Sequence, residues 1–263
     1  FNLQHTQQNY DVNAGDEFGN GRDYTPYWNL INTPINIPVT RFKDWRNDYF
    51  SNPNQYFNAY YHNPYAMADL FRRTGRNDNL FGSIELGFKA TSWLNFTYRL
   101  GTTIANGTSK STAEAFNYSA YAKTNISRAS ADFLPGVIDR SSTSSRLSSE
   151  LFANFKKDFR VVKLDAIVGH SYRRSLAQSS SVSSLNLGIP GIYNVGVRRG
   201  ELSGGESNSE NTLQRFFGKL GASYDNWAFF EFTSSYDMDS RLSPAYGNFK
   251  LGDIGFYYPG ASL

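Results

Sequence analysis

Cysteine is absent from this 263-residue chain, so neither a disulfide framework nor thiolate chemistry is open to it. No run of about 20 apolar residues occurs, and the mean hydropathy is -0.51, which excludes a membrane-spanning helix. A membrane-spanning strand needs only about 10 alternating residues, so a transmembrane barrel stays open. An excess of one charge is lacking too: 26 Lys+Arg against 23 Asp+Glu, a net of +3, provide no nucleic-acid surface. Histidine is scarce, and His5, His62 and His170 stand far apart without a second ligand at helical or strand spacing, so they read as surface or lumen polarity and no metal site is expected. No GxSxG elbow or HExxH run occurs, so no enzyme and no cofactor are expected. The chain starts at Phe1 with no initiating Met or leader, and reads as cut from a longer protein.

Aromatics, in contrast, are abundant. They make up 16% of the chain, with 18 Tyr and 21 Phe, more than a core of this size takes up, and the surplus suits a binding surface or a membrane interface. The stretch SIELGFKATSWLNFTYRLG places Ile84, Leu86 and Phe88, then Leu94, Phe96, Tyr98 and Leu100, at alternate positions, with Glu85, Lys89, Asn95 and Arg99 between them. Side chains along a strand point to opposite faces, so this spacing makes two strands, each with an apolar and a wet face. The pattern recurs twice. Leu147, Leu151, Ala153 and Phe155 precede a turn at Lys157-Asp158, and Val162, Leu164, Ala166 and Val168 follow it. Phe216, Leu220, Ala222 and Tyr224 precede a turn at Asp225-Asn226, and Ala228, Phe230, Phe232 and Tyr236 follow it. Three hairpins, about six strands, are therefore expected over residues 80–263, with residues 1–79 as a loop region.

The connections alternate in length. Links within hairpins are a few residues; those between hairpins, about Ile104 to Ser145, Arg173 to Thr212 and Met238 to Gly255, are long and rich in Ser, Asn and Gly. Short turns on one rim and long loops on the other is the plan of an all-β, antiparallel transmembrane barrel with extracellular loops. Phe88, Phe155 and Tyr224 then close the apolar side in an aromatic girdle, while Trp93 and Trp227 have the opposite parity and stay unassigned. The wet side lines a lumen, with Glu85, Arg99, Glu150, Lys163, Asp165, Arg215, Lys219, Glu231 and Asp237 facing it. Six strands cannot close in lipid, so the chain is expected to be part of a larger barrel, with GFYYPGASL starting a seventh strand. The rival reading is a soluble carbohydrate-binding β-sandwich whose core is the apolar face.

The order of elements from Asn63 to Gly101 resembles the SusC/RagA family of TonB-dependent outer-membrane transporters: Asn63, Pro64, Tyr65, Arg72 and Gly75, an alternating strand, then Trp93, Leu94, Arg99 and Gly101. Ala66 departs from it, standing where the family usually has Trp, while NTPINIPVTRFKDW (Asn32 to Trp45) and YYPGAS resemble family text. The resemblance implies a plugged barrel of about 22 strands. It also implies TonB as the periplasmic partner, a SusD-like surface lipoprotein as lid, and import of oligosaccharides or oligopeptides across the bacterial outer membrane. No plug or TonB-contacting segment is identifiable in the chain.

Loop aromatics and arginines are the candidate substrate contacts, since rings stack on sugars and guanidinium groups hold peptide carbonyls and carboxylates: Tyr24, Tyr27, Trp28, Trp45, Tyr49, Tyr60, Tyr61, Tyr193, Arg198 and Arg199. The competing role for each is packing of loop on loop. DVNAGDEFGNGRD hints at a calcium loop through Asp11 and Asn13, but Gly15 and Asp16 reverse the expected order and Arg22 stands where the bidentate Glu belongs. Asn63-Pro64 reads as the cap and first turn of a short helix.

Overall fold

The computed structural model describes residues 1–19, 21–225, 227–243 and 254–262. Its strands are β1 (Asn2–Asn13), β2 (Phe71–Lys89), β3 (Leu94–Ala113), β4 (Gly136–Phe159), β5 (Val162–Ser184), β6 (Ser203–Tyr224), β7 (Ala228–Asp239) and β8 (Gly255–Ser262). They form one eight-stranded antiparallel meander in chain order, so each strand pairs only with its sequence neighbours and the sheet is not closed on itself. The expected hairpins are β2–β3, β4–β5 and β6–β7, and GFYYPGASL is β8. The count rises from about six because β1 also pairs, Asn2 with Ser83 through Asn13 with Arg72. Its sequence, NLQHTQQNYDVN, lacks the apolar alternation that marks the others. Residues 1–79 therefore hold β1 and the start of β2 as well as loop. A sandwich needs two packed sheets, and the described residues form a single sheet.

The strands are longer than their apolar stretches. β4 runs for 24 residues, about twice what a tilted strand needs to cross a bilayer. In the long-loop half both faces are polar: Ser141 lies opposite Ser180, and Ser142 opposite Ser179, which in turn faces Ser207. Backbone ladders hold such segments in strand form where side chains give no periodic signal, so the long links shrink to residues 114–135 and 185–202. The Met238 to Gly255 link lies in part outside the described residues.

The turns lie near the expected positions. β4 continues past Lys157-Asp158 and reverses at Arg160 and Val161, with Phe159 opposite Val162 and Arg160 at φ 47°, as a two-residue hairpin turn requires. The β6–β7 turn pairs Tyr224 with Ala228 and carries Asp225 at φ 45°; Asn226 lies outside the described residues.

The register of each pair runs without a bulge, so parity holds from end to end. One face carries Leu86, Tyr98, Leu151, His170, Phe216 and Tyr236 in a single cross-strand row; the next row on the other face is Glu85, Arg99, Glu150, Ser171, Arg215 and Asp237. Two histidines, His170 and His62, depart from the expected surface or lumen polarity, while His5 is exposed as expected. His170 stands on the apolar face with its ring 4.6 Å from that of Phe216, His62 is buried among loop aromatics, and His5 lies 3.5 Å from Asp78.

Among the described residues, the buried hydrophobic core lies at and beyond the long-loop rim. Residues 14–70 and 114–135 pack Phe18, Trp45, Met67, Leu70, Tyr118 and Phe133 against Phe71, Ala113 and Ile138. Helices α1 (Pro26–Ile31), α2 (Pro64–Leu70) and α3 (Ala120–Asn125) are single turns or little more, each with a polar cap. Asn63 caps α2 as expected, its side chain accepting from the Tyr65 amide at 3.0 Å while its own amide donates to the Phe42 and Ser51 carbonyls, both at 2.8 Å. Phe71, Ala113 and Ile138 share parity with the charged row, so this loop cap folds onto the charged face.

Candidate functional site

The charged face neutralises itself along its rows. Arg99 bonds Glu85 at 2.6 Å and reaches Glu150 at 3.5 Å, with its guanidinium carbon 5.1 Å from the Phe152 ring centre. Arg215 meets Asp237, its cross-strand partner, with two hydrogen bonds at 2.8 and 2.5 Å. Lys219 pairs with Glu231, Asp165 lies opposite Lys156 and Gly221, and Lys163 lies opposite Asp158 and Ser223. All nine charged residues expected on the wet face therefore occupy one face.

Two glycines create room there. At Gly169 a Cβ would stand 2.5 Å from Phe217 and 2.7 Å from Phe152, so its bare backbone admits two rings from the flanking strands. At Gly221 a Cβ would stand 2.2 Å from a carboxylate oxygen of Asp165.

Grooves open on this face. One of about 350 Å3 is lined by Gln8, Asn77, Asn79, Ser142, Ser144 and Ser179; one of about 430 Å3 is lined by Tyr10, Asn77, Ser109, Arg140, Ser142 and Ser207. Their walls are mostly amide and hydroxyl groups on short side chains, with Tyr10 and Arg140 added in the second. Such walls exchange hydrogen bonds with a polar ligand without filling the space.

The cap is tied to the wall by Glu17, which pairs with Arg73 and, at 2.8 Å, with Arg140. Ser111, fully buried, accepts from Arg73 at 3.3 Å and Arg140 at 3.4 Å. Within the cap, Arg128 joins the two loops by donating to the Asn58, Pro53 and Tyr56 carbonyls at 2.7, 2.7 and 3.0 Å. His62 sits between the rings of Tyr24 and Phe133 with Nδ1 3.3 Å from the Tyr118 hydroxyl. Burial, aided by the nearby Arg128 charge, pushes its pKa down to about 3. Burial also raises the Tyr118 phenol.

The candidate contacts divide between packing and exposure. Tyr24 stacks on Phe71 at 5.0 Å and Trp45 is buried with its indole N–H donating to Asp69 at 2.8 Å, so these two rings hold the cap together. Trp28 is half-buried under the Arg22 guanidinium, and Tyr61 is half-buried with its amide bonded to Asn58. Tyr27, Tyr49 and Tyr60 are exposed. Arg198 and Arg199 are exposed and bond carbonyls of their own loop, at Val195 and Gly188. Tyr193 is half-buried; its carbonyl accepts from Lys110, and burial raises its phenol pKa, with the Glu114 charge adding to the shift. Sequence reading missed Arg46 and Glu114, whose bidentate pair at 2.8 and 2.7 Å bridges residues 14–70 to 114–135; two lone charges 68 positions apart carry no local signal. The calcium-like loop is structural: Asp11 pairs with Arg72 at 2.5 Å, while the Asn13 amide donates to the Met67 and Phe71 carbonyls.

The unassigned tryptophans both join the apolar face. Trp93 contacts Phe155 at 5.3 Å and Trp227 contacts Tyr224 at 6.1 Å. They belong to the turns rather than the ladders, so strand parity does not govern them.

No protein-family model and no curated protein match the chain. Among solved structures, it is similar to the RagAB peptide transporter, with a TM-score of 0.60 at 17% identity over 76% of this chain and 21% of that one. The RagAB peptide importer in its open-open and closed-closed states gives the same TM-score and identity over 20% and 21% of those chains. The likeness is one of fold, and the chain spans about a fifth of the length of these structures.

Proposed function

We propose that this chain forms part of the wall and extracellular mouth of a bacterial outer-membrane importer of the SusC/RagA kind. The observation that carries the reading is the asymmetric sheet: one apolar and one self-neutralised charged face, short turns at one rim, and long loops at the other that pack over the charged side. In this reading the apolar face meets lipid, and the sheet continues into further strands that close a barrel around a plug. The charged face lines the lumen, and the loop cap narrows the outer entrance.

The cargo is an oligopeptide or an oligosaccharide, delivered beneath a SusD-like lipoprotein lid and admitted when TonB, drawing on the proton-motive force, displaces the plug. Peptide is the favoured cargo because the similar solved structures are peptide importers. The amide and hydroxyl groups of the grooves suit either polymer. Exposed Tyr27, Tyr49 and Tyr60 offer rings at the mouth, while Trp45 and Tyr24 act by holding the cap in shape.

Fractionating cells that express the full-length protein, with detergent extraction and an affinity tag, tests this. The expected result is a protein found in the outer membrane, released only by detergent, with a surface lipoprotein co-purifying. A protein that is soluble without detergent contradicts the reading.

A further inference from the structure

The short-turn half of the apolar face is almost free of formal charge. From the row of Leu86, Tyr98, Leu151, His170, Phe216 and Tyr236 down to the short turns, Lys157 is the one Asp, Glu, Lys or Arg side chain on that face among the described residues. It lies opposite Leu164, on the same side as Phe155 and Phe159, close to the Arg160–Val161 turn. Its neighbours in sequence, Lys156 and Asp158, point to the other face and lie opposite Asp165 and Lys163. Lys157 is exposed and has no ion pair with a carboxylate among the described residues.

Its ammonium group is nevertheless placed. Nζ lies 5.5 Å from the Trp93 ring centre and 5.2 Å from that of Phe159. Trp93 is itself fixed: its carbonyl accepts from the Lys156 amide at 2.9 Å, its amide donates to the Thr91 hydroxyl at 3.3 Å, and its ring meets Phe155 edge-on. Two rings confine the cation at the side while its outward N–H groups stay open. A lysine at the edge of an apolar belt lays its stem along the hydrocarbon and lifts its charge to the headgroup level.

We propose that Lys157, Trp93 and Phe159 form a binding site for the phosphate of a glycerophospholipid at the short-turn rim. The acyl chains lie along Leu164, Ala166 and Phe155, the phosphodiester accepts from Nζ, and the Trp93 indole faces the glycerol region. A lipid is the occupant because the apolar surface that would take its chains continues without a break from the cation. An anionic headgroup is preferred, since it brings no ammonium of its own to compete for the rings. The site rests on the membrane reading above.

Native mass spectrometry of the full-length protein in detergent micelles, titrated with phosphatidylglycerol, tests the proposal. One tightly retained lipid is expected, and Lys157→Gln should weaken it about fivefold, the worth of one surface cation toward an anionic lipid. Trp93→Leu should weaken it too, while Lys156→Gln, altered on the other face, should retain it as the wild type does. Millimolar inorganic phosphate should not displace it, which separates a lipid site from a simple anion site. Equal retention by wild type and Lys157→Gln overturns the lipid site and leaves the membrane reading standing. A protein that stays folded and soluble without detergent, and binds no phospholipid, overturns both.

Discussion

Leu86 and Phe230 stand on the apolar face with nothing among the described residues to cover them, at 60% and 42% exposure. If that face meets lipid, arginine at either should cost about 2–4 kcal/mol near the bilayer midplane, while Ser83→Arg or Thr233→Arg on the other face should be tolerated; equilibrium unfolding of the full-length protein in detergent or lipid reads the difference. Gly169 makes a second residue-scale case. Valine there would push into Phe217, Phe152 and the Leu151 carbonyl, and overpacking of this kind costs about 1–3 kcal/mol, measurable in the same assay. The faces were legible in the sequence because alternation survives wherever one side is apolar. The need for Gly169 was not, since Phe152 and Phe217 meet across it only after three strands are in register.

The loop cap is the element with the most structure and the least sequence signal. Its helices are short, its rings come from residues 14–70 and 114–135, and the chain between them forms a whole hairpin. Only the Asn63-Pro64 cap was readable beforehand, because capping is local; the burial of Tyr24, Trp45 and His62 depends on partners far off in sequence. His62 gives this element a pH dependence. Its folded pKa of about 3 lies below the ordinary 6.5, so the unfolded cap binds the extra proton between those values. The contribution is fully present above about pH 6.5 and is lost as pH falls, at up to about 1.4 kcal/mol per pH unit. Protection factors of cap amides in the full-length protein, which remove the intrinsic pH dependence of hydrogen exchange, should therefore fall on acidification, and His62→Gln should flatten the trend. An unchanged trend in the variant would remove His62 as its source.

β1 and the long-loop halves of the strands share one reason for being missed. With polar side chains on both faces, backbone pairing alone defines them, as in NLQHTQQNYDVN or the serine-rich start of β4. The β6–β7 register was legible because both strands carry apolar residues of matched parity, which sets Arg215 against Asp237. A double-mutant cycle on that pair should give about 0.2–1 kcal/mol of coupling, the scale of cross-strand ion pairs in solvent.

At the scale of the whole molecule, the proposed function makes a vectorial claim for this one sheet with an apolar face, a charged face and a capped rim: the long loops face the medium and the short turns face the periplasm. On the proposed membrane reading the sheet needs further strands beside it, since an uncovered edge in lipid leaves backbone groups unpaired. These 263 residues hold no native cysteine, so this segment adds no background of its own to thiol reagents. Ser142 is unsuited as an outside marker, because it lies on the inner face of β4 beside Ser179 rather than in a loop. Ser130, in the 114–135 loop, and Ser203, at the loop end of β6, are exposed, and Ser92 lies in the β2–β3 turn. The most direct test is labelling of single-cysteine variants of the full-length protein in intact cells with a membrane-impermeant maleimide. Ser130→Cys and Ser203→Cys should react at once, and Ser92→Cys should react only after the outer membrane is opened; labelling of Ser92→Cys in intact cells, with the loop positions silent, would contradict the account.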